Sequence, residues 1–588
     1  ACLGAAADTE TLAIVLETSL DQVHASLSDA VRQELVERRG DSYYFIHDRV
    51  QEAAYSMIPQ TSRAEVHLRI GRLLTERTPK ELQEEAIFEI VSQFNQGAAL
   101  IASKEERAQV AQLNLVAGKR AKASAAYASA LSYLKAGMEL LSQEAWENRQ
   151  GLAFELEQHR ADCELWMGAF SSAEERLAAL ASRAADTVQR AVVASRRVDL
   201  YTMLRNSNRA VELGLEYLRS VGIDWPPHPS EMEAQREYQR IWSNLGDREI
   251  EELINLSRMA DSEQLATLDF LAMFGAPTLY FDENLYTLAI CRGVNLSLDH
   301  GNSDASTAIY AAVGLSASYH FSDYAAGYRL GRLACDLVEQ RGMRRFAAKT
   351  YVVFALLTPW TRPLGESLEA GRRGFQVASE LGDAAYAARA LSTVTFRRLA
   401  VGEPLDRVAR EAEDAMEFSR KLGFEHIANL VFPTLAITRM LRGETVKFGS
   451  FDQGNLSERA FEERMTRLRA VVPECFYWIR KLQAGLSAGD YTAAIDAAEK
   501  AERGVTSGLL KIHPLELAEY HLYTALSHAA CCEPTGLDPY ATHQAKLAAH
   551  HAQIKSWEAN CPANFEHAVA LVGAEIARIE GRVLDAES

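Results

Sequence analysis

His543, His550 and His551 recur at i, i+7 and i+8, so a helix would bring three imidazoles to one face, where they could hold a transition metal. No carboxylate or cysteine stands at ligand spacing beside them, so the plainer reading is a solvated helix face, and no metal is expected. Cys561-Pro562-Ala563-Asn564-Phe565 reads as a turn into a helix, with a buried rather than reactive thiol. The sharpest local feature is Phe45-Ile46-His47-Asp48-Arg49, a histidine at a hairpin exit followed by an aspartate that can cap a helix. Residues 274–360 carry 13 aromatics, about twice the chain's 8%. Among them Tyr310, Tyr319, Tyr324, Tyr328, Tyr351 and Trp360 fit either of two readings. They are core packing between helix pairs, or they line the concave groove or ligand cavity of a solenoid. Phosphate loops, dinucleotide-binding glycine patterns, nucleophile elbows, zinc-protease helices and kinase catalytic loops are all missing, so no catalytic residue and no cofactor is expected. An enzyme with dispersed catalytic residues is the third reading.

The elements that would position these residues are helices. At 588 residues the chain exceeds one compact core, and 48% hydrophobic with 24% charged residues is a globular composition. None of its 15 prolines falls between Lys80 and Trp225, in a stretch rich in Ala, Leu, Glu and Arg. Net charge is −18, and residues 1–62 alone carry four Arg against ten Asp and Glu, which argues against nucleic acid as a partner. Eight scattered cysteines suit a reducing, cytoplasmic setting, and no apolar run approaches a membrane span. No signal peptide opens the chain, which starts at Ala1 without Met and ends just after a helix opens at Gly581. It therefore reads as an internal piece of a longer protein.

Residues 1–60 are predicted to form part of a winged helix. Residues 11–16 make one helix, and Ser19-x-x-Gln22 is a capping box for a second that places Leu20, Val23, Leu27, Val31 and Leu35 on one face. Residues 35–38 and 43–46 then flank a turn at Arg39-Gly40-Asp41. Residues 61–103 connect, with Ser62-x-x-Glu65 capping a helix that buries Val66, Ile70, Leu73 and Leu74.

From residue 104 onward a weak repeat appears. A tetratricopeptide unit is a pair of antiparallel helices of about 34 residues, with a turn residue, an aromatic, and a small residue at the helix contact. Gly168-x-Phe170-x-x-Ala173 and Gly489-x-Tyr491-x-x-Ala494 match, and Gly581-x-Val583-x-x-Ala586 matches with valine in the aromatic place. Ala125-x-Tyr127-x-x-Ala130 and Ser322-x-Tyr324-x-x-Gly327 are variants. The fold expected is all-α, a degenerate tetratricopeptide-like α-solenoid, a superhelix of antiparallel helix pairs behind a small partial winged helix. Residues 104–222 form the first repeats and 230–588 the second set, cut in its last repeat, with a proline-rich linker between them at residues 222–229. Lesser breaks are expected near residues 359–363, 443–454 and 532–539.

Tyr44-Phe-Ile-His-Asp-Arg-Val-Gln-Glu-Ala-Ala-Tyr-Ser-Met-Ile-Pro59 and His67-Leu-Arg-Ile-Gly-Arg-Leu-Leu74 resemble a segment of large bacterial signal-transduction ATPases with numerous domains, often hybrid serine/threonine and histidine kinases. Gln93-Phe-Asn-Gln-Gly97, Arg120-Ala-Lys-Ala-Ser124 and Cys561-Pro-Ala-Asn-Phe565 look like the tetratricopeptide-like region of the same proteins. The resemblance implies a non-catalytic regulatory and protein-interaction arm, with protein partners or flanking domains of the same polypeptide as its contacts. The alternative is a small-molecule sensor with an aromatic-lined cavity near residues 274–360. It also implies that Ile46-His47-Asp48 stands where related switches carry Met-His-Asp, so that His47, with Asp48, would sense a bound nucleotide's phosphate in the intact parent. ATPase and kinase domains are absent from the chain.

Overall fold

The computed structural model describes residues 1–141, 145–454, 457–468, 470–506, 513–532, 539–582 and 586. The chain is 77% helical, and among the described residues strands occur only between Ala6 and Phe45. It is an all-α array of antiparallel helix pairs, a degenerate tetratricopeptide-like solenoid. It divides into two compact units, Ala1–Tyr217 and Leu218–Ser588.

The first unit opens with strand β1 (Ala6–Asp8), helices α1 (Thr9–Leu16) and α2 (Leu20–Arg32), and the hairpin strands β2 (Val36–Arg39) and β3 (Ser42–Phe45). The sheet order is β1-β3-β2, antiparallel throughout, with Val36 opposite Phe45 and Ala6 opposite Tyr44. Ser19 and Gln22 close the expected capping box on α2, and Val23, Val36 and Tyr43 form the local core. Strand β1 was not expected. Two further expectations are corrected. Leu20 is 47% exposed as the first residue of α2, and Leu35 is 40% exposed because α2 stops at Arg32 and leaves it outside the helix. Ser62 caps nothing, because Pro59, locked in extended backbone, is itself the N-cap and the helix Gln60–Arg77 begins a turn earlier. Ile70, Leu73 and Leu74 of that helix are buried. The pairs Lys104–Ala123 with Tyr127–Leu140 and Gln150–Trp166 with Phe170–Ala181 follow, and then the helix Thr187–Met203.

Left-handed residues at the pair turns explain why the repeat was faintly visible in sequence. Gly168 and Gly489 have φ of 77° and 73°, and Ala125, Arg205 and Ser322 hold φ of 55° to 56° in the same role. At Ala125 the next N–H, that of Ala126, bonds the carbonyl of Ala121 at 2.9 Å; Ala169 bonds Glu164 and Asp490 bonds Gly485 alike. This is the Schellman closure, which satisfies carbonyls the helix end would orphan. Side-chain-bearing residues endure the strained conformation there because the turn geometry demands it. Ala125→Gly is therefore expected to stabilise the chain by up to about 1 kcal/mol, and Gly168→Ala to destabilise it by about 1–2 kcal/mol. Urea denaturation midpoints shifting the same way in both variants would contradict this. Ala130, Ala173 and Ala494, at the predicted helix contacts, are wholly buried. Gly581 also has a left-handed φ of 75°, but Val583 of the same motif lies outside the described residues.

The second unit runs from Glu231–Leu245 through paired helices to Pro562–Ile579. A short 3-10 turn, Thr358–Trp360, occupies the break expected near residues 359–363, and the break at 443–454 is a loop; most of that at 532–539 lies outside the described residues. The unit closes on itself. The Asn564 amide donates to the carbonyls of Pro359 at 2.7 Å and Arg362 at 2.8 Å, and its oxygen accepts from the Leu364 N–H at 3.1 Å. Trp360 packs between Trp557 and Phe565 in the same seam. The last helices thus seat on a segment about two hundred residues earlier. Among the described residues no helix is long and apolar enough to cross a membrane.

Candidate functional site

His47 is exposed and occupies the N-cap of the helix Asp48–Ser56 in extended backbone, without a capping bond from its side chain. Asp48 is therefore not the cap. It is the first helical residue, where a carboxylate faces the positive end of the helix dipole. The two residues differ in surroundings. Asp48 lines a cleft of about 870 Å³ in the first unit together with Asp8, Glu52 and Glu89, and no lysine or arginine lines it. Buried His67 forms its floor, sharing hydrogen bonds with Tyr55 at 2.9 Å and Gln93 at 2.6 Å. Burial, with Asp8 nearby, raises the Glu89 carboxyl above its ordinary range. Four carboxylates in one cleft repel phosphate and favour a cation. His47 is not among the residues lining this cleft.

The six aromatic candidates do not share one wall. Tyr310 is wholly buried and donates to Asn302 at 3.1 Å. Tyr351 is buried, donates to Glu339 at 2.8 Å, and packs in a cluster bordered by half-buried Tyr319 and Tyr328. Trp360 belongs to the closing seam, with half-buried Tyr324 beside it at 5.7 Å between rings. The Arg362 guanidinium covers the Tyr328 ring at 4.4 Å. Tyr310, Tyr351 and Trp360 are thus packing residues, and only Tyr319, Tyr324 and Tyr328 retain surface.

Behind the seam, the second unit buries a charged group that sequence reading missed. Arg397, on the helix Ala384–Ala400, has no exposed surface, and Arg480 and Glu516 are 4% and 3% exposed. Arg397 Nε donates to Ser367 at 3.0 Å, and its Nη1 stands 3.7 Å from Glu516 Oε1, too far for a hydrogen bond. Arg480 donates to Glu519 at 2.7 Å. Both Glu516 oxygens, Glu519 Oε2, Arg397 Nη1 and His513 Nδ1 are buried without a hydrogen-bond partner among the described residues. Burial raises the Glu519 carboxyl despite Arg480. Burial, reinforced by Arg397 and Arg389, lowers His513 to about 3. Arg397 could not be picked out because Arg397-Arg398 within a helix reads as two surface cations.

His543 and His550 do not lie on a solvated face. The preceding helix, Pro514–Ala530, carries His528 and His521 seven residues apart, and the antiparallel partner presents His543 and His550 at the same interval. His521 Nδ1 meets His550 Nδ1 at 2.8 Å, and His528 Nδ1 meets His543 Nδ1 at 2.7 Å. His551 turns instead to the Val569 carbonyl. Matching seven-residue intervals in adjacent helices were the signal that would have found the pairs. Among the described residues no three His, Cys, Asp or Glu side chains are gathered to hold a metal ion. Cys561 is buried at the N-cap of Pro562–Ile579.

The chain matches no protein-family profile. It is similar to hybrid signal transduction histidine kinase G of Dictyostelium discoideum, 24% identical over 440 residues, which are 66% of this chain and 13% of that protein. Among solved structures it is similar to a Signal Transduction ATPase with Numerous Domains protein with a tetratricopeptide repeat sensor from Pyrococcus horikoshii. That likeness is 14% identical, covers 87% of this chain and 63% of that one, and has a TM-score of 0.40. It is also similar to the APC/C hetero-tetramer Cut9–Hcn1, 13% identical over 91% of this chain and 98% of that one, with a TM-score of 0.31. With TM-scores below 0.5, neither structure assigns a role to this chain.

Proposed function

We propose that the chain is the non-catalytic regulatory and protein-interaction arm of a larger cytoplasmic signalling protein of the bacterial ATPase and kinase kind. The observation that carries this reading is the 440-residue similarity to a hybrid signalling kinase of which the matched segment is only 13%. A stacked array of helix pairs suits the role, since it presents extended surface to partners or flanking domains. In this reading residues 1–60 are the back half of a winged helix, 61–103 a connector, and 104–222 and 230–588 two repeat segments. Exposed His47 is the contact through which a neighbouring nucleotide domain would be felt. His47→Ala is expected to change this chain's unfolding free energy by under about 0.5 kcal/mol, because the side chain is exposed and caps nothing. In the longer protein the same change should alter nucleotide retention or kinase output. Unchanged retention and output, alongside an array deletion that leaves the response to signal intact, would overturn the reading.

A second reading, a small-molecule sensor, is favoured by the orphaned polar atoms behind the closing seam of the second unit. The half-buried Tyr319, Tyr324 and Tyr328 would then be partner-facing, with ligand held deeper.

A further inference from the structure

Arg397, Arg480, Glu516 and Glu519 are two cations and two anions, brought together by three helices that are far apart in sequence. His513 beside them is uncharged near neutral pH because burial, Arg397 and Arg389 all oppose its protonation. The group is therefore charge-balanced, yet its hydrogen bonding is not. Arg480 donates to one Glu519 oxygen only; Glu519 Oε2 and both Glu516 oxygens have no hydrogen-bond partner among the described residues, and Glu516 faces, at 3.7 Å, an Arg397 nitrogen that also has none. A buried carboxylate in that state is costly, and native proteins satisfy such groups with protein, water or ligand. The free atoms define what fits. Glu516 Oε1 and Oε2 and Glu519 Oε2 need donors, while Arg397 Nη1 needs an acceptor. A lone cation or anion would leave net charge in the interior, which is the expensive case. A polyphosphate meets two glutamates, and an apolar molecule satisfies nothing. A molecule with an ammonium at one end and a carboxylate at the other satisfies all four atoms and preserves the balance.

We propose that the Arg397–Glu516 pair binds a small zwitterion of the free amino-acid class, with its ammonium on Glu516 and Glu519 and its carboxylate on Arg397. Arg397 is anchored to the middle of the unit through Ser367, and Glu516 rides on the helix Pro514–Ala530 of the returning end. Occupancy therefore straps the returning helices to the middle of the unit, which is what a sensor needs. The proposal rests on the sensor reading above.

The test is thermal denaturation of the whole chain with single free amino acids at millimolar concentration, with a deproteinised metabolite extract as a separate arm, followed by calorimetry. At least one amino acid should raise the melting temperature by several degrees through mass action. Its affinity should fall at least about tenfold in the Arg397→Gln/Glu516→Gln double variant, which removes both charges and keeps the balance. If that variant fails to fold, Arg397→Lys, which retains charge and loses the planar fork, should weaken binding instead. No stabilisation by any amino acid, or equal stabilisation in the variant, overturns the proposal. An extract that stabilises the wild type alone, when no amino acid does, overturns the amino-acid class and leaves the sensor reading standing. An extract without effect removes both.

Discussion

Acidification from pH 7 to about 5 is expected to unfold the C-terminal repeats. Burial lowers His521 to about 3, with His550 adding to the effect. It lowers His528 to about 4, with His543 and Lys546 adding, and His550 to about 4, with Lys546 adding. His513, also at about 3, faces Arg397 and Arg389. A histidine in the unfolded chain takes a proton near pH 6.5. Each of these groups thus binds fewer protons folded than unfolded between about pH 6.5 and its depressed value, and the contribution present above 6.5 is lost as the pH falls through that window. One group loses about 1.4 kcal/mol per pH unit, or on the order of 2 kcal/mol by pH 5. Several together compete with the roughly 5–15 kcal/mol that holds a domain folded. The pairs sharpen the loss. The first proton added to His521–His550 must enter a buried ring, and a second would make both Nδ1 atoms donors and break the 2.8 Å bond. Urea denaturation midpoints between pH 7.5 and 5 should fall steeply in the wild type and less in His521→Gln/His550→Gln, whose amides do not titrate. Equal slopes would remove the histidine pairs as the cause.

What could be read from sequence was what neighbours in sequence determine. Ser19 and Gln22 lie within one turn, and their capping box stands as expected. The turn residue and contact alanine of each repeat are also a few positions apart, so Gly168 with Ala173 and Gly489 with Ala494 were legible. Strand β1 was not, because Ala6–Asp8 has no strand preference of its own and exists by pairing with β3 some 36 residues later. Long-range pairing hid the candidate site as well. Arg397 looks like a surface cation until Glu516 arrives from the returning end, and Asn564 looks like a turn residue until residues 359–364 meet it. The histidines were read on one helix, and their meaning lies on two. Aromatics were legible as a concentration but not as a surface, because composition does not say which face of a helix is covered.

Gly327→Ala is expected to destabilise the second unit by about 1–3 kcal/mol or more, although alanine is the better helix former by roughly 1 kcal/mol. The other repeat signatures place alanine at this contact, and the structure shows why this one cannot. A Cβ on Gly327 would stand 2.6 Å from the Gly314 carbonyl oxygen and 2.3 Å from the Ser318 hydroxyl. The hydroxyl can rotate away, but the carbonyl belongs to the facing helix and moves only if the two helices separate. Gly314 is the reciprocal half of the contact, since its own Cβ would meet the Gly327 carbonyl oxygen at 2.5 Å. Two glycines face each other where the helices Asp304–Tyr319 and Tyr324–Arg341 cross, so their backbones touch without intervening side chains. Separating them would also disturb Leu357 and Phe354, which pack beside Gly331 one turn further on. The reverse substitution at an ordinary contact, Ala173→Gly, should cost only about 1 kcal/mol, from lost helix propensity and a small void. Thermal denaturation of both variants, monitored by helical circular dichroism, separates the two cases. A Gly327→Ala melting temperature at or above the wild type would mean that the helix backbones do not touch as described.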